Sequence, residues 1–220
     1  MNIKILNKYK VLTSNVFQLS VLHVFNMIVP LLLIPFIIKF IGIIKYGELA
    51  FAMTISTYAL ILVNFGFDYS GSKRISENRD NLKEIGSILT SITVIKLLFF
   101  LIVLLIFFGV ITFVEELDFF LYFFSLMVVL DSIFLPKWFF LGLEKVKHLT
   151  IAYGVSKLIS SLFIIYFLYS GLPIFFVPLS YLIGIFFTGL YSWYIIKVKF
   201  KVSISRVSKS AVIFEFNNSI

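Results

Sequence analysis

Six long apolar stretches, at residues 17–41, 49–67, 88–114, 119–141, 149–169 and 173–196, alternate with short polar connectors. Each is close to or longer than the roughly 20 residues that carry a helix across the hydrocarbon of a bilayer. Lipid supplies no hydrogen-bond partners, so such a stretch has to close its backbone bonds within itself, which a helix does. A membrane β-barrel would alternate apolar and polar residues over segments of about 10 residues, and no such alternation occurs. The pattern predicts an all-α, polytopic integral membrane protein of six transmembrane helices. It divides the chain into an N-terminal tail at 1–16, a six-helix domain at 17–196 and a basic C-terminal tail at 197–220.

The connectors set the orientation. Lys4, Lys8 and Lys10 precede the first stretch, and only Lys45 lies in the turn after it. Lys73, Arg74, Arg79 and Lys83 follow the second stretch, whereas Glu115, Glu116 and Asp118 follow the third with no cation. Lys145 and Lys147 come after the fourth, none after the fifth, and Lys197, Lys199, Lys201, Arg206 and Lys209 close the chain. Cationic connectors are retained on the cytoplasmic side, so both termini are expected there.

Composition excludes more than it adds. A hydrophobic share of 60% with 14% charged residues lies outside the soluble range. The net charge of +8 is spread over every inner connector and forms no basic patch interleaved with aromatics, so topology accounts for it and no nucleic-acid partner is expected. The first stretch is longer than the 7–15-residue core of a secretory signal and has no small-residue cleavage site, so it is expected to stay as a helix. Cysteine is absent and only His23 and His148 are available. No metal-binding, nucleophile-elbow or nucleotide-binding string occurs, so no cofactor, metal or bond-making chemistry is expected.

Polar residues inside the apolar stretches carry the candidate function. Thr54, Thr57, Tyr58, Asn64 and Asp68 project onto about a third of one helix at about 100° per residue. Tyr153, Ser156, Lys157 and Ser160 repeat the pattern in the fifth stretch. Ser180, Gly184, Thr188 and Tyr191 form a weaker version in the sixth, and Gln18, His23 and Asn26 a wider arc in the first. Small residues on one face are sufficient for close helix packing, the favoured reading for the sixth. A carboxylate and an ammonium in the second and fifth favour a wet cavity.

Lys96, Asp131 and Lys157 lie about 12–15 Å deep, counting 1.5 Å per residue from the helix ends. Each buried charge costs at least about 2.5–3.5 kcal/mol, which pairing or a wet pocket reduces. Two ammonium groups and one carboxylate leave a cationic pocket suited to a phosphate or pyrophosphate headgroup. The competing reading is that Asp131 pairs with one lysine to hold helices while the other snorkels to the interface. Lys137, beside Trp138, reads as an interfacial anchor. Pro30 and Pro35 can kink the first helix, as a moving joint or a static bend.

Several strings resemble a known family. Gln18, Asn26, Pro30, Pro35, Lys39 and Gly42 with Tyr46-Gly47 look like the opening signature of bacterial polysaccharide-biosynthesis membrane proteins. These are the O-antigen flippase group of the multidrug/oligosaccharidyl-lipid/polysaccharide exporter superfamily. Asn64-Phe65-Gly66-Phe67, then Ser70, Lys73-Arg74, Ser76 and Arg79-Asp80, is similar to the group's first large cytoplasmic loop. Pro136-Lys137-Trp138-Phe139-Phe140, with Gly142 and Glu144-Lys145, resembles its fourth-helix exit and is the most specific string.

The match runs from Asn15 to Leu168 and rests on the order and spacing of these motifs. It implies flipping of undecaprenyl-pyrophosphate-linked oligosaccharide across the inner membrane by alternating access, with no covalent bond changed. It also implies that Lys39, Lys96 and Lys157 hold the anionic lipid-linked sugar. Together with Asp131, Asn64 and Asp68 they are the candidate substrate-binding residues. Where the group often has Arg, position 39 is Lys, which lacks the bidentate fork.

The resemblance implies a fold of two six-helix lobes, of which this chain holds one. It is therefore expected to be a truncated product, or to pair with a second lobe. Lipid-linked oligosaccharide, membrane lipids, polysaccharide polymerase and glycosyltransferases are the partners implied. A cation-coupled multidrug exporter of the same fold, expected to have a mainly acidic cavity, and an inactive fragment or assembly partner are the alternatives.

Overall fold

Ten α-helices follow one another along the described chain: α1 Ile3–Ile41, α2 Ile43–Asn64, α3 Phe67–Glu77, α4 Leu82–Ile111, α5 Phe119–Met127, α6 Asp131–Phe134, α7 Lys137–Gly142, α8 Val146–Tyr169, α9 Phe176–Tyr194 and α10 Lys209–Asn217. The computed structural model describes residues 3–114, 117–205 and 209–219, with side chains from Thr13 onward. The acidic pair Glu115–Glu116, Arg206 and the side chains of Lys4, Lys8 and Lys10, which entered the topology reading, lie outside that description. Among the described residues there is no strand, and the chain is all-α.

Six segments are long and apolar enough to cross a membrane: Thr13–Ile41, Ile43–Glu77, Leu82–Ile111, Phe119–Gly142, Val146–Tyr169 and Phe176–Lys199. Met27, Leu31, Leu32 and Leu105 are 70–74% exposed. Such surface is untenable over large areas in water and is what faces lipid in a multi-pass membrane protein.

The helices extend beyond the apolar stretches. α1 begins at Ile3, and the turn expected at 42–48 shrinks to Gly42, whose φ of 81° is open to glycine at no steric cost. Residues 68–77, expected within a connector, form α3 together with Phe67, and α10 lies in the expected tail. Asn81 caps α4 by accepting from the Glu84 N–H, and Asp118 caps α5 by accepting from that of Leu121.

Two of the six segments are broken. The second turns at Phe65 and Gly66, with φ of 34° and 80°, so α3 leaves in a new direction from α2. The fourth passes through a 3₁₀ turn at Val128–Leu130, and α6 then ends before Leu135 and Pro136. Proline has no N–H to continue the ladder, and the residue before it is pushed out of the helical region.

At one end of the bundle α3 packs on α7 through two close approaches. Gly71 lies under the Trp138 ring, and Gly142 lies against Ile75 and the Ser72 carbonyl. A Cβ at either glycine would come within 2.8 Å of those atoms. Trp138 is accordingly 1% exposed, in a core with Phe67, Ile88, Ile92 and Phe140, and is no interfacial residue. Gly184 of α9 sits against Ser156 and Ser160 of α8, the packing use of small residues expected for the sixth stretch.

Candidate functional site

A lysine in the middle of an apolar helix must find acceptors, water or an aromatic face, and the three lysines near the bundle centre find different ones. Lys96 of α4 is 1% exposed. Its Nζ donates to Asn64 Oδ1 at 2.9 Å and to Asp68 Oδ1 at 2.8 Å. Asn64 is the last residue of α2 and Asp68 lies in the first turn of α3, so Lys96 spans the break between them. Asp68 at an N-terminus and an ammonium beside a C-terminus are each favoured by the helix dipoles. These charge-assisted bonds take two of the three ammonium donors of Lys96.

Asp131 sits where the 3₁₀ turn of the other broken segment becomes α6. Its Oδ2 accepts from the Tyr153 hydroxyl at 3.0 Å, and Lys137 Nζ stands 3.8 Å away. Lys137 also lies over the Tyr153 ring, 4.9 Å from its centre. It is therefore a member of this cluster and not only an anchor at the helix end. Both carboxylates of the site thus stand beside interruptions of spanning helices, where half-helix ends place partial charges at membrane depth.

Lys157 of α8 is the exception. No hydrogen bond or ion pair reaches its Nζ among the described residues, and it stands over the Tyr181 ring, 5.7 Å from the centre. It borders a hollow of about 80 Å³ with Leu22, Phe25, Asn26, Tyr153 and Gly154. That is far below the roughly 300–1,000 Å³ of ordinary ligand pockets, enough for a few waters. Gln18, on the same α1–α8 seam, has a buried Oε1 without a partner. Two larger hollows, of about 260 and 360 Å³, are lined almost wholly by apolar side chains and hold none of these charges.

Asp131 interacts electrostatically with Lys137, Lys157, Asp68 and Lys96, so the five charges form one group. Three ammonium groups against two carboxylates leave one positive charge, and Lys157 is the member whose charge is not spent on a bond. Lys39, by contrast, is exposed in the last turn of α1 and is not among the charges acting on Lys96, Asp131 or Lys157.

The polar arc of the second stretch divides at the break. Thr54 and Thr57 donate back to the carbonyls of Ala50 and Met53, while Tyr58 is 67% exposed and borders an apolar hollow. Only Asn64 and Asp68 join the charge group. Projecting a uniform helix through Asp68 fails because Phe65 and Gly66 reset the direction. His148, without an obvious partner in sequence, is held by Tyr191 on Nδ1 at 2.9 Å and by Lys199 on Nε2 at 3.0 Å. An ammonium can only donate, so Nε2 accepts and Nδ1 carries the proton toward the tyrosine oxygen.

A family model described as polysaccharide biosynthesis protein matches residues 12–219. A protein of Escherichia coli (strain K12) named "Putative O-antigen transporter" is 25% identical over 149 residues, covering 67% of this chain and 36% of its own length. A protein of the same name from Shigella dysenteriae is 24% identical over 185 residues, covering 84% of this chain and 46% of its own. The chain spans less than half the length of these curated relatives. No solved structure matches it.

Proposed function

This chain belongs to the polysaccharide biosynthesis protein family, and on that premise we propose that it carries undecaprenyl-pyrophosphate-linked oligosaccharide from the inner to the outer leaflet of the cytoplasmic membrane. The step is alternating access around the charge group, with no bond made or broken. Both termini lie on the cytoplasmic side, following the cation-bearing connectors. A second lobe closes the site, and glycosyltransferases and a polymerase work on either side of the step.

The physical problem for such a carrier is a pyrophosphate that lipid alone rejects. A single surplus cation on a half-wet wall meets it, because one charge attracts the headgroup and is weak enough to let it go. Lys157 is the observation that carries this reading, because its ammonium faces an aromatic ring and borders a small hollow with no carboxylate bonded to it. The hollow is too small for a sugar, so the headgroup lies along the open wall beside Asn26 and the exposed His23. The name of the two relatives, "Putative O-antigen transporter", supports the same substrate class. A drug exporter would want an unspent carboxylate, and both carboxylates here are bonded, Asp68 to Lys96 and Asp131 to Tyr153.

The test is translocation of lipid-linked oligosaccharide in vesicles. Lys157→Ala is expected to slow it about tenfold, the value of one lost charge-assisted contact of about 1.4 kcal/mol. Lys157→Arg is expected to retain most of the rate. An unchanged rate in Lys157→Ala removes this lysine from the site.

A further inference from the structure

We propose that α3 and α7 form one swinging unit, hinged at Phe65–Gly66 and at Leu135–Pro136 and strapped in place by α10. The unit is defined by its packing. Gly71 under Trp138, and Gly142 against Ile75 and the Ser72 carbonyl, seat the two helices with no gap between them, while Ile92 of α4 also lies against Gly71 and is the contact over which the unit slides. Arg79, just past α3, adds a bond from Nε to the Gly142 carbonyl at 2.9 Å and an ion pair to Glu144 at 2.7 Å. Each helix joins the rest of its spanning segment through an interruption of the hydrogen-bond ladder. At Phe65–Gly66 both residues have positive φ, and at Leu135–Pro136 the proline ends the ladder.

The strap lies against α3 and α4. The Ser203 carbonyl approaches Gly86, and the Ser205 N–H donates to Thr90 Oγ1 at 3.1 Å. Farther on, Phe216 packs against Phe99, so α10 runs in the same direction as α4. Phe216 stacks parallel on Phe65 with ring centres 5.7 Å apart, and the Ser219 carbonyl presses on Gly66. Toward the other end of α3, Arg74 pairs with Glu215 of α10 and with Glu84 of α4, and its guanidinium lies 4.7 Å from the centre of the Phe214 ring. The strap therefore grips the first hinge directly and reaches α3 through Arg74.

The other side of the first hinge is held by Lys96, bonded to Asn64 before the break and to Asp68 after it. Release of α10 lets α3 turn, which draws Asp68 off Lys96 and bares a second ammonium in the charge group around Asp131. The motion thus changes the charge presented by the site as well as its shape. A packed unit between interruptions is how hinge motions are commonly built, the joints absorbing the dihedral change while the packed contacts persist.

Cysteine is absent from the chain, so introduced thiols report cleanly. Ser70→Cys, 7% exposed and bordering the surface hollow that Phe214 and Asn218 also line, reports whether α10 is docked. Spin labels on Glu77→Cys and Lys147→Cys measure α3 against α8, and labels on Lys83→Cys and Lys147→Cys measure α4 against α8 as a control. In the full chain carrying Phe216→Ala, the expected results are three. Water-soluble maleimide labels Ser70→Cys about tenfold faster. The Glu77–Lys147 distance distribution shifts or broadens by about 5 Å, one helical turn. The Lys83–Lys147 distance stays as in the parent. Unchanged labelling overturns the strap, and faster labelling with an unmoved Glu77–Lys147 pair overturns the hinge. Movement of both pairs overturns it too, because the whole bundle has then loosened.

Discussion

Lys96 and Lys157 are both ammonium groups near the middle of apolar helices, and the bundle treats them in opposite ways. Lys96 is sealed, with two acceptors at 2.8 and 2.9 Å, one on each side of a helix break. Lys157 has a ring face at 5.7 Å and a small hollow. The insertion cost of about 2.5–3.5 kcal/mol applies to each. It is offset at Lys96 by bonds that are part of the scaffold, and at Lys157 by the aromatic quadrupole of Tyr181 beside a small hollow. A buried charge with its bonds made holds structure, whereas one left unspent is available to a ligand.

The largest effect that would break the comparison is on stability at Lys96. Lys96→Ala removes the bridge across the second segment and is expected to cost about 3 kcal/mol, read as a lower melting temperature in detergent. An unshifted melt would mean that the bridge holds nothing. Asp131→Asn comes next, at about 1–2 kcal/mol, because Tyr153 keeps an acceptor while Lys137 loses its carboxylate. Its melt belongs between those of Lys96→Ala and the parent. Lys157→Ala is expected to stay within about 1 kcal/mol of the parent in stability while slowing translocation, which separates ligand contact from scaffold.

The smallest effect is at Glu215, outside the spanning segments. Burial pushes its carboxyl above the usual range, with Glu84 adding to the rise and Arg74 opposing it. The docked state therefore holds the Glu215 proton more tightly than the undocked one. Docking of α10 is strongest below the ordinary carboxylate range and weakens as pH climbs through the raised value. Maleimide labelling of Ser70→Cys should accordingly rise with pH once the rise in thiolate fraction, measured on an exposed cysteine, is subtracted. Glu215→Gln, which cannot ionise, should flatten that rise, and an equal rise in both would remove Glu215 from the docking contact.

The six spanning segments were legible because an apolar stretch in lipid has almost no choice but helix. The charged members Lys96, Asp131 and Lys157 were legible for a related reason, since an ion in such a stretch is costly and stands out. Their partners were harder to read. Asp68 was recognised as polar, yet its pairing with Lys96 depends on a left-handed Phe65, which no residue preference announces, beside a glycine that permits the turn. Trp138 next to Lys137 resembled a membrane-interface pair. It is buried by Gly71, far away in sequence, and only the packing of α3 on α7 brings them together. α10, with nine residues, was too short to announce a docking surface.

The most direct test of Lys157 as the unspent cation uses Gly154→Cys, in the same hollow, where an added Cβ meets no atom within 4 Å. Its maleimide labelling is measured in membranes with and without lipid-linked oligosaccharide, in the parent and in Lys157→Ala. The account predicts that the lipid slows labelling in the parent and has no effect once Lys157 is alanine. Equal protection in both, or none in either, would contradict it.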